Sequence, residues 1–456
     1  MDRLVELIGR PEGKTLEFKR DLSSPDGVLK TLVAFANTSG GTLVLGVDDA
    51  RRHVRGIADP LAVEERLANL VSDRIVPTLV PEIEILPWRD THVVVVEVYP
   101  SPTRPHHLRR LGPEQGVFVR VGSTNRRADA SLIEELRRYA RNETFDEQPM
   151  PDLGTEAIEL EAVRQAFEGI RAVDRRDVET LRLALRYQGR VVPTVGGILL
   201  FGRDRLRHFP DAWVQAGRFL GGDRSTIVDT AEIRSPLPRA AEEGLAFVRR
   251  HVARETVITG ARGAERWAFP LEAVREAIIN AIVHADYAQR GAPIRLSIFE
   301  DRLEVENPGL LPFGLTVEEI RTGISKLRNR VIGRVFRELR LIEQWGSGIP
   351  RMTEACRAAG LPPPALEEIG THFRVTLFSG SREAPVLDPL DARILELLRD
   401  SSGLTTAQVA TAVGRSVRAT RERLGALLQR GQVVVLGSGP NDPRRRYFAA
   451  AQEDLR

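Results

Sequence analysis

The sequence predicts a multidomain chain of mixed α/β and α+β class. Three observations predict it. Apolar strands alternate with amphipathic helices over residues 1–142, two polar proline-containing stretches at 142–154 and 379–389 interrupt the pattern, and three short helices followed by a basic-tipped hairpin come last. A chain of 456 residues is long enough for about three domains. With 42% hydrophobic residues it holds no apolar run near the ~20 residues a membrane span needs. The stretch MDRLVELIGRPEG lacks the apolar core and small-residue cleavage site of a secretory signal. The single cysteine, Cys356, excludes an intramolecular disulfide and a cysteine-based zinc cluster, and it fits a reducing cytoplasm. Net charge is only +3, so the chain as a whole is not a polycation, although its arginine content permits nucleic-acid binding.

In chain order, LVELI (4–8) reads as a short helix and TLEFK (15–19) as a strand. The run 27–41 reads as a helix stopped at Gly40-Gly41, and 42–49 as a buried strand. An amphipathic helix follows at 60–75, two strands at 83–100, and a last strand with a basic loop at 116–128. NETFDEQPMPDLG (142–154) reads as a linker. Helices are expected at 158–170 and 177–189, strands at 195–204 and 212–221, and a helix at 236–252.

Arg275 to Gly348 is the most informative stretch. In REAIINAIVHADY (275–287), Glu276, Asn280 and His284 are four apart and share one face of an otherwise apolar helix. Such groups are costly to bury without partners; the alternative is a polar stripe that meets solvent. LSIFEDRLEVEN (296–307) reads as two strands, ended by the turn Asn307-Pro308-Gly309. Gly346-Ser347-Gly348 precedes an apolar helix, where backbone N–H groups and the positive helix end can meet an anion. Of 66 Lys and Arg only Lys14, Lys19, Lys30 and Lys326 are lysine. Lys326, before the glycine loop, either marks a phosphate contact or is a lysine that survives by chance.

This order of motifs resembles the GHKL ATPase superfamily, and within it the RecG-like, divergent AAA-4 branch of bacterial ATP-binding regulators, over residues 155–380. The resemblance implies ATP and Mg²⁺ as cofactors. It implies that Glu276 orients or deprotonates the attacking water and that Asn280 holds Mg²⁺. Asn307 and Gly309 replace the family's Asp-x-Gly-x-Gly at adenine; an amide oxygen can still accept there. Gly346, Ser347 and Gly348 would cover the phosphates, with His284 and Lys326 beside them and Thr371 on the strand behind adenine. The activity implied is a slow ATPase in a protein that forms homo-oligomers.

GKTLEFKR, LVAFANTSGGTLVLGVDD and GVFVRVGSTNRRA, in that order, resemble the Schlafen AlbA-type domain over about residues 10–140 of an expected domain at 1–142. That family includes nucleic-acid-binding modules and some metal-dependent ribonucleases. The resemblance implies Glu12, Glu17 and Asp48 or Asp49 as a metal-binding trio for a nuclease, the alternative function. The other reading is that Glu17 pairs with Lys19 and that Asp48-Asp49 ends a strand. Arg109, Arg110, Arg120, Arg126 and Arg127, with His106 and His107 nearby, offer a basic face for phosphate.

Residues 388–450, three helices and a hairpin, resemble a winged-helix DNA-binding domain. Arg418 and Arg421 lie near the start of its second motif helix, and Arg444, Arg445 and Arg446 on the wing, where DNA contacts are implied. A winged helix that makes protein contacts is the other reading. The chain lacks a Gly-x-x-x-x-Gly-Lys-Ser/Thr loop, which argues against a helicase. The expected whole is a cytoplasmic, ATP-binding transcription regulator acting on DNA, with RNA as an alternative target for the N-terminal domain.

Overall fold

The computed structural model describes residues 2–48, 53–252, 254–259, 262–342, 346–379, 389–399, 401, 403–429, 433–436 and 446–449. The chain divides into two compact units, Met1–Ala359 with Pro364–Leu377, and Gly360–Pro363 with Phe378–Arg456.

The first unit opens on a four-stranded sheet in the order Leu16–Lys19, Gly41–Leu45, Thr91–Val98, Glu82–Trp88. The first pair is parallel and the rest antiparallel. A parallel pair needs a crossover, and the helix Pro25–Asn37 supplies it, burying Val28, Leu29, Leu32 and Phe35. That helix stops before the glycines because Gly40, at φ +77°, donates its N–H back to the Phe35 carbonyl (2.9 Å). A hairpin, Phe118–Val121 with Thr124–Arg127, leads to the helix Ala130–Ala140, which Asp129 caps through the Leu132 N–H (2.9 Å).

A six-stranded mixed sheet follows, ordered Ile227–Ile233, Val214–Phe219, Ile294–Ile298, Arg302–Pro308, His372–Phe378, Ala365–Ile369. Side chains alternate across it. Leu296, Leu303 and Val305 are buried, and Leu296 and Ile278 of the helix Leu271–His284 both flank Gly244 of the helix Leu237–His251. The alternate positions Glu304 and Glu306 are covered by arginines, with Arg302 Nε 2.7 Å from Glu304 and Arg374 Nη2 2.8 Å from Glu306.

Three local expectations are corrected. VGGILLF is not a strand but the buried helix Val195–Phe201. Apolar on every face, it carries no helical period to read, and Thr194 starts it by accepting the Gly197 N–H (2.9 Å). A Cβ on Gly197 would stand 2.0 Å from the Leu183 carbonyl oxygen, so only glycine permits this packing. The expected helix 177–189 is one turn, Asp177–Thr180, followed by a hairpin of Ala184–Tyr187 and Arg190–Pro193. Gln188 (φ +49°) and Gly189 (φ +80°) form a turn that suits a two-residue hairpin loop. The stretch read as a linker holds Asp146, fully buried, whose carboxylate accepts the N–H groups of Arg330 (3.0 Å), Val331 (2.7 Å) and Ile332 (2.9 Å) at the start of the helix Arg330–Glu338.

The second unit carries the helices Pro389–Arg399, Thr406–Val413 and Val417–Gln429 and the antiparallel strands Val433–Leu436 and Arg446–Ala449. Ile394, Leu398, Val409, Leu424, Leu427 and Tyr447 form its core. Thr405 and Gln408 make a reciprocal capping box, and Gly414, at φ +66°, ends that helix and opens the turn to the next.

Candidate functional site

The helix Leu271–His284 presents Glu276, Asn280 and His284 to an open cleft of about 1000 Å³. Asn307, Lys326, Gly346, Ser347 and Gly348 line the same cleft, so Glu276 meets residues as far along the chain as Gly348 and beyond. Its apolar wall includes Leu311, Leu315, Ile320, Ile324 and Val375. Asn307 is the next-to-last residue of the strand Arg302–Pro308, whose end is held from both sides. The Pro308 carbonyl accepts the Asp286 N–H (2.8 Å), and Gly309, at φ +98°, donates its N–H to the Thr371 carbonyl (2.8 Å).

Glu276 is 3% exposed, so it is not part of a solvent-facing stripe. Arg351 Nη2 donates to its Oε1 at 2.7 Å, and Arg275 Nη1 lies 3.6 Å from the same oxygen. Gly348 sits directly over the pair of polar groups: a Cβ there would be 2.9 Å from Glu276 Oε2 and 3.3 Å from Asn280 Nδ2. Gly346 (φ +63°) is packed so that a Cβ would fall 2.1 Å from the Gly323 carbonyl oxygen. The glycine loop is thus pressed onto the carboxylate and amide, with its helix, Gly348–Ala358, starting at the cleft. Arg351 was not apparent from the sequence as a site residue. The signal was its spacing: three residues after Gly348, it shares that residue's helix face.

His284 Nδ1 is buried without a hydrogen-bond partner in the cleft wall. Burial pushes the imidazole down to about 4, and the Arg328 cation adds to the shift. Because the unfolded chain titrates near 6.5, the stability carried by neutral His284 is complete above that pH. It falls by about 1.4 kcal/mol per pH unit, about 3 kcal/mol in all, as pH drops toward 4. Urea unfolding of His284→Gln should show that much less acid sensitivity than the parent; parallel pH curves would refute the assignment.

Gly309 and Thr371 do not line this cleft. Thr371 is exposed in the turn between the strands Ala365–Ile369 and His372–Phe378, while Phe373 and Val375 from the second strand face the cleft. The turn places Thr371 beyond the strand residues that reach inward.

The expected metal trio is engaged separately. Glu12 accepts the Phe18 N–H (2.8 Å), Glu17 pairs with Arg120 and with Lys19 (2.6 Å), and Asp48 accepts from Arg55 (2.6 Å). Among the described residues no group of three His, Cys, Asp or Glu side chains is arranged to hold a metal ion. Asp49 lies outside the described residues, as do Arg444 and Arg445.

Arg120 is corrected from a surface contact to a core residue. At 1% exposure it donates to the Gly13 carbonyl (3.0 Å), to Asn125 (2.9 Å) and to Glu17, over the Phe35 ring. His106 is equally internal, between the Pro77 carbonyl (2.9 Å) and Ser101 Oγ (2.7 Å). Arg109 donates to the Asp73 carbonyl and Arg110 pairs with Asp26. Arg126 and Arg127 are exposed. In the second unit Arg418 and Arg421 are exposed on the helix Val417–Gln429, and Arg446 donates to the Gly403 carbonyl (3.0 Å).

Three family models match the chain. "Schlafen, AlbA_2" matches residues 12–129, "Putative ATP-dependent DNA helicase recG C-terminal" matches 291–377, and "Winged helix-turn-helix DNA-binding" matches 387–434. The chain joins a Schlafen AlbA_2 segment, an ATPase-like segment and a winged helix-turn-helix. The ATPase-like match includes Asn307, Lys326, the glycine loop and Thr371, whereas Glu276, Asn280 and His284 precede it. No curated protein matches the chain. Among solved structures, the DIP2311 protein from Corynebacterium diphtheriae is similar at 21% identity and a TM-score of 0.45, over 100% of this chain and 98% of that one. The N-terminal domain of a RecG-related protein from Nitrosomonas europaea is similar at 29% identity and a TM-score of 0.23, over 28% of this chain and 91% of that one. Among the described residues no helix is long and apolar enough to cross a membrane.

Proposed function

We propose that this protein is an ATP-responsive DNA-binding regulator, in which Mg-ATP held by the ATPase-like segment controls nucleic-acid binding. The observation that carries the reading is the cleft, where a buried carboxylate, an amide, an unpartnered imidazole nitrogen and a glycine loop at a helix start converge. These donors fit a nucleotide and its cation. Asn280 offers an amide oxygen suited to Mg²⁺, which when bound would neutralise phosphate charge. The loop N–H groups and the helix end favour phosphate, and the apolar wall favours a base. Glu276, hydrogen-bonded to Arg351, would orient a water. Arg351 could exchange Glu276 for a phosphate oxygen as ATP arrives, leaving Arg275 near the carboxylate.

DNA contacts would come from Arg418, Arg421 and Arg446, with Arg126 and Arg127 as a further phosphate-binding edge. By the sequence resemblance we extend the reading to a homo-oligomer acting in transcription in the cytoplasm.

The test is calorimetric binding of Mg-ATP and a turnover assay on the full chain. Asn280→Ala should weaken Mg-ATP binding at least about tenfold, as loss of one charge-assisted contact does. Glu276→Gln should keep binding and lose turnover. A parent protein that binds no nucleotide, or an Asn280→Ala variant that binds as well as the parent, would sink the proposal.

A further inference from the structure

We infer a second ligand site in the first unit: a basic groove that holds the phosphodiester backbone of a single-stranded nucleic acid. The groove is an open concavity of about 1730 Å³ between the helix Ala130–Ala140 and the helix Arg330–Glu338. Its cations are Arg138, Lys326, Arg328, Arg330, Arg334 and Arg337, against three carboxylates, Glu135, Glu143 and Asp286, which leaves a net charge of +3. Two of those carboxylates are already committed, Glu135 to Arg328 and Glu143 to Arg141.

The helix Arg330–Glu338 sets the polarity. Val331, Ile332, Val335 and Phe336 are buried, while Arg330, Arg334 and Arg337, at spacings of four and three, share the opposite face. Arg334 makes only a 3.4 Å contact to the Thr180 carbonyl, and Arg337 has no acidic partner among the described residues. Arg330 has Glu147 at 3.4 Å, but Arg334 and Arg337 carry charge with no acid paired to it among the described residues, and Arg forks match phosphate oxygens.

Aromatic rings lie among the cations. Tyr139 and Phe145, both half-buried, line the groove, with Phe145 under the Arg138 guanidinium and Tyr139 edge-on to the buried Phe313. Cations that track a backbone, interleaved with aromatic faces on which bases stack, are what a single strand requires. A duplex, being convex and wide, suits the exposed second motif helix of the winged helix-turn-helix instead. The groove also shares a wall with the nucleotide cleft, since Pro312, Ser325, Lys326 and Leu327 line both. Lys326 Nζ is 3.3 Å from the Tyr139 hydroxyl, so an occupant of either site meets the same side chain.

The test uses the full chain and labelled 12-nucleotide probes, as single-stranded DNA, single-stranded RNA and duplex DNA, read by fluorescence anisotropy across a salt series. Arg334→Ala/Arg337→Ala should weaken single-strand binding about tenfold or more and flatten its salt slope by about 1.4, two contacts at about 0.7 each, with duplex binding unchanged. Arg418→Ala/Arg421→Ala should do the reverse. Both arginines of the groove pair are exposed, so an unchanged thermal melt certifies the fold. The DNA and RNA arms decide which backbone the groove takes. A parent that binds no single strand, a groove variant that matches the parent, or one that loses duplex binding equally would overturn the assignment.

Discussion

Asp146→Ala is expected to destabilise the first unit by about 3 to 5 kcal/mol, the range for breaking a buried, multiply bonded charge. The carboxylate is fully buried and accepts three consecutive backbone N–H groups at the first turn of the helix Arg330–Glu338. Those donors have no partner within their own helix, and the helix dipole adds to their attraction for an anion. Alanine removes the acceptor and leaves all three in a dry site. Thr144 Oγ1, which donates to Asp146 at 2.5 Å, would be left with Glu147 Oε2 alone, at 3.0 Å. Asp146→Asn should recover part of the loss, because its amide oxygen still accepts. Urea unfolding followed by circular dichroism reads both variants; a loss under about 1 kcal/mol for the alanine would place Asp146 among ordinary surface carboxylates. The helix it anchors carries Arg334 and Arg337, so the groove should weaken with it.

Gly346→Ala is expected to reduce nucleotide binding about a hundredfold, because strain of ~2–3 kcal/mol would fall on the conformation that forms the site. The residue sits at φ +63°, and its Cβ would meet the Gly323 carbonyl oxygen at 2.1 Å. That neighbour is backbone and cannot rotate away. Gly348→Ala should show a smaller loss, since its Cβ would meet the ends of the Glu276 and Asn280 side chains. Gly222→Ala, with nothing within 4 Å, serves as the neutral control. If Gly346→Ala binds Mg-ATP like the parent, the glycine loop is not part of the nucleotide site.

The candidate site was largely legible because its motifs are local. Glu276, Asn280 and His284 declare themselves by helical spacing. Asn307-Pro308-Gly309 does so by turn chemistry, and the glycine loop by its place before a helix. Arg351 was hidden, because an arginine three residues into a helix looks the same whether it meets solvent or a buried carboxylate. Thr371 was misplaced because a strand and the turn before it differ by only one or two residues in sequence. Arg120 read as a phosphate contact beside Arg126 and Arg127, yet its side chain turns inward to the Gly13 and Leu16 carbonyls and Glu17. Nothing in GVFVRVGSTNRRA distinguishes these arginines except the alternation that places Arg120 between Val119 and Val121.

The sequence by itself determined the mixed α/β and α+β class, the order of the three matched segments and most of the strands and helices. Each of these follows from periodicity, capping and turn chemistry within some tens of residues. The tertiary structure alone decided which polar groups lost their water. It laid Asp146 under a helix 184 residues away, buried VGGILLF as a helix, and divided Glu12, Glu17 and Asp48 among separate partners. It also brought two distant helices together to make a basic groove. Burial and ion pairing depend on what the chain places opposite a residue, and that is set by long-range packing rather than by its neighbours in sequence.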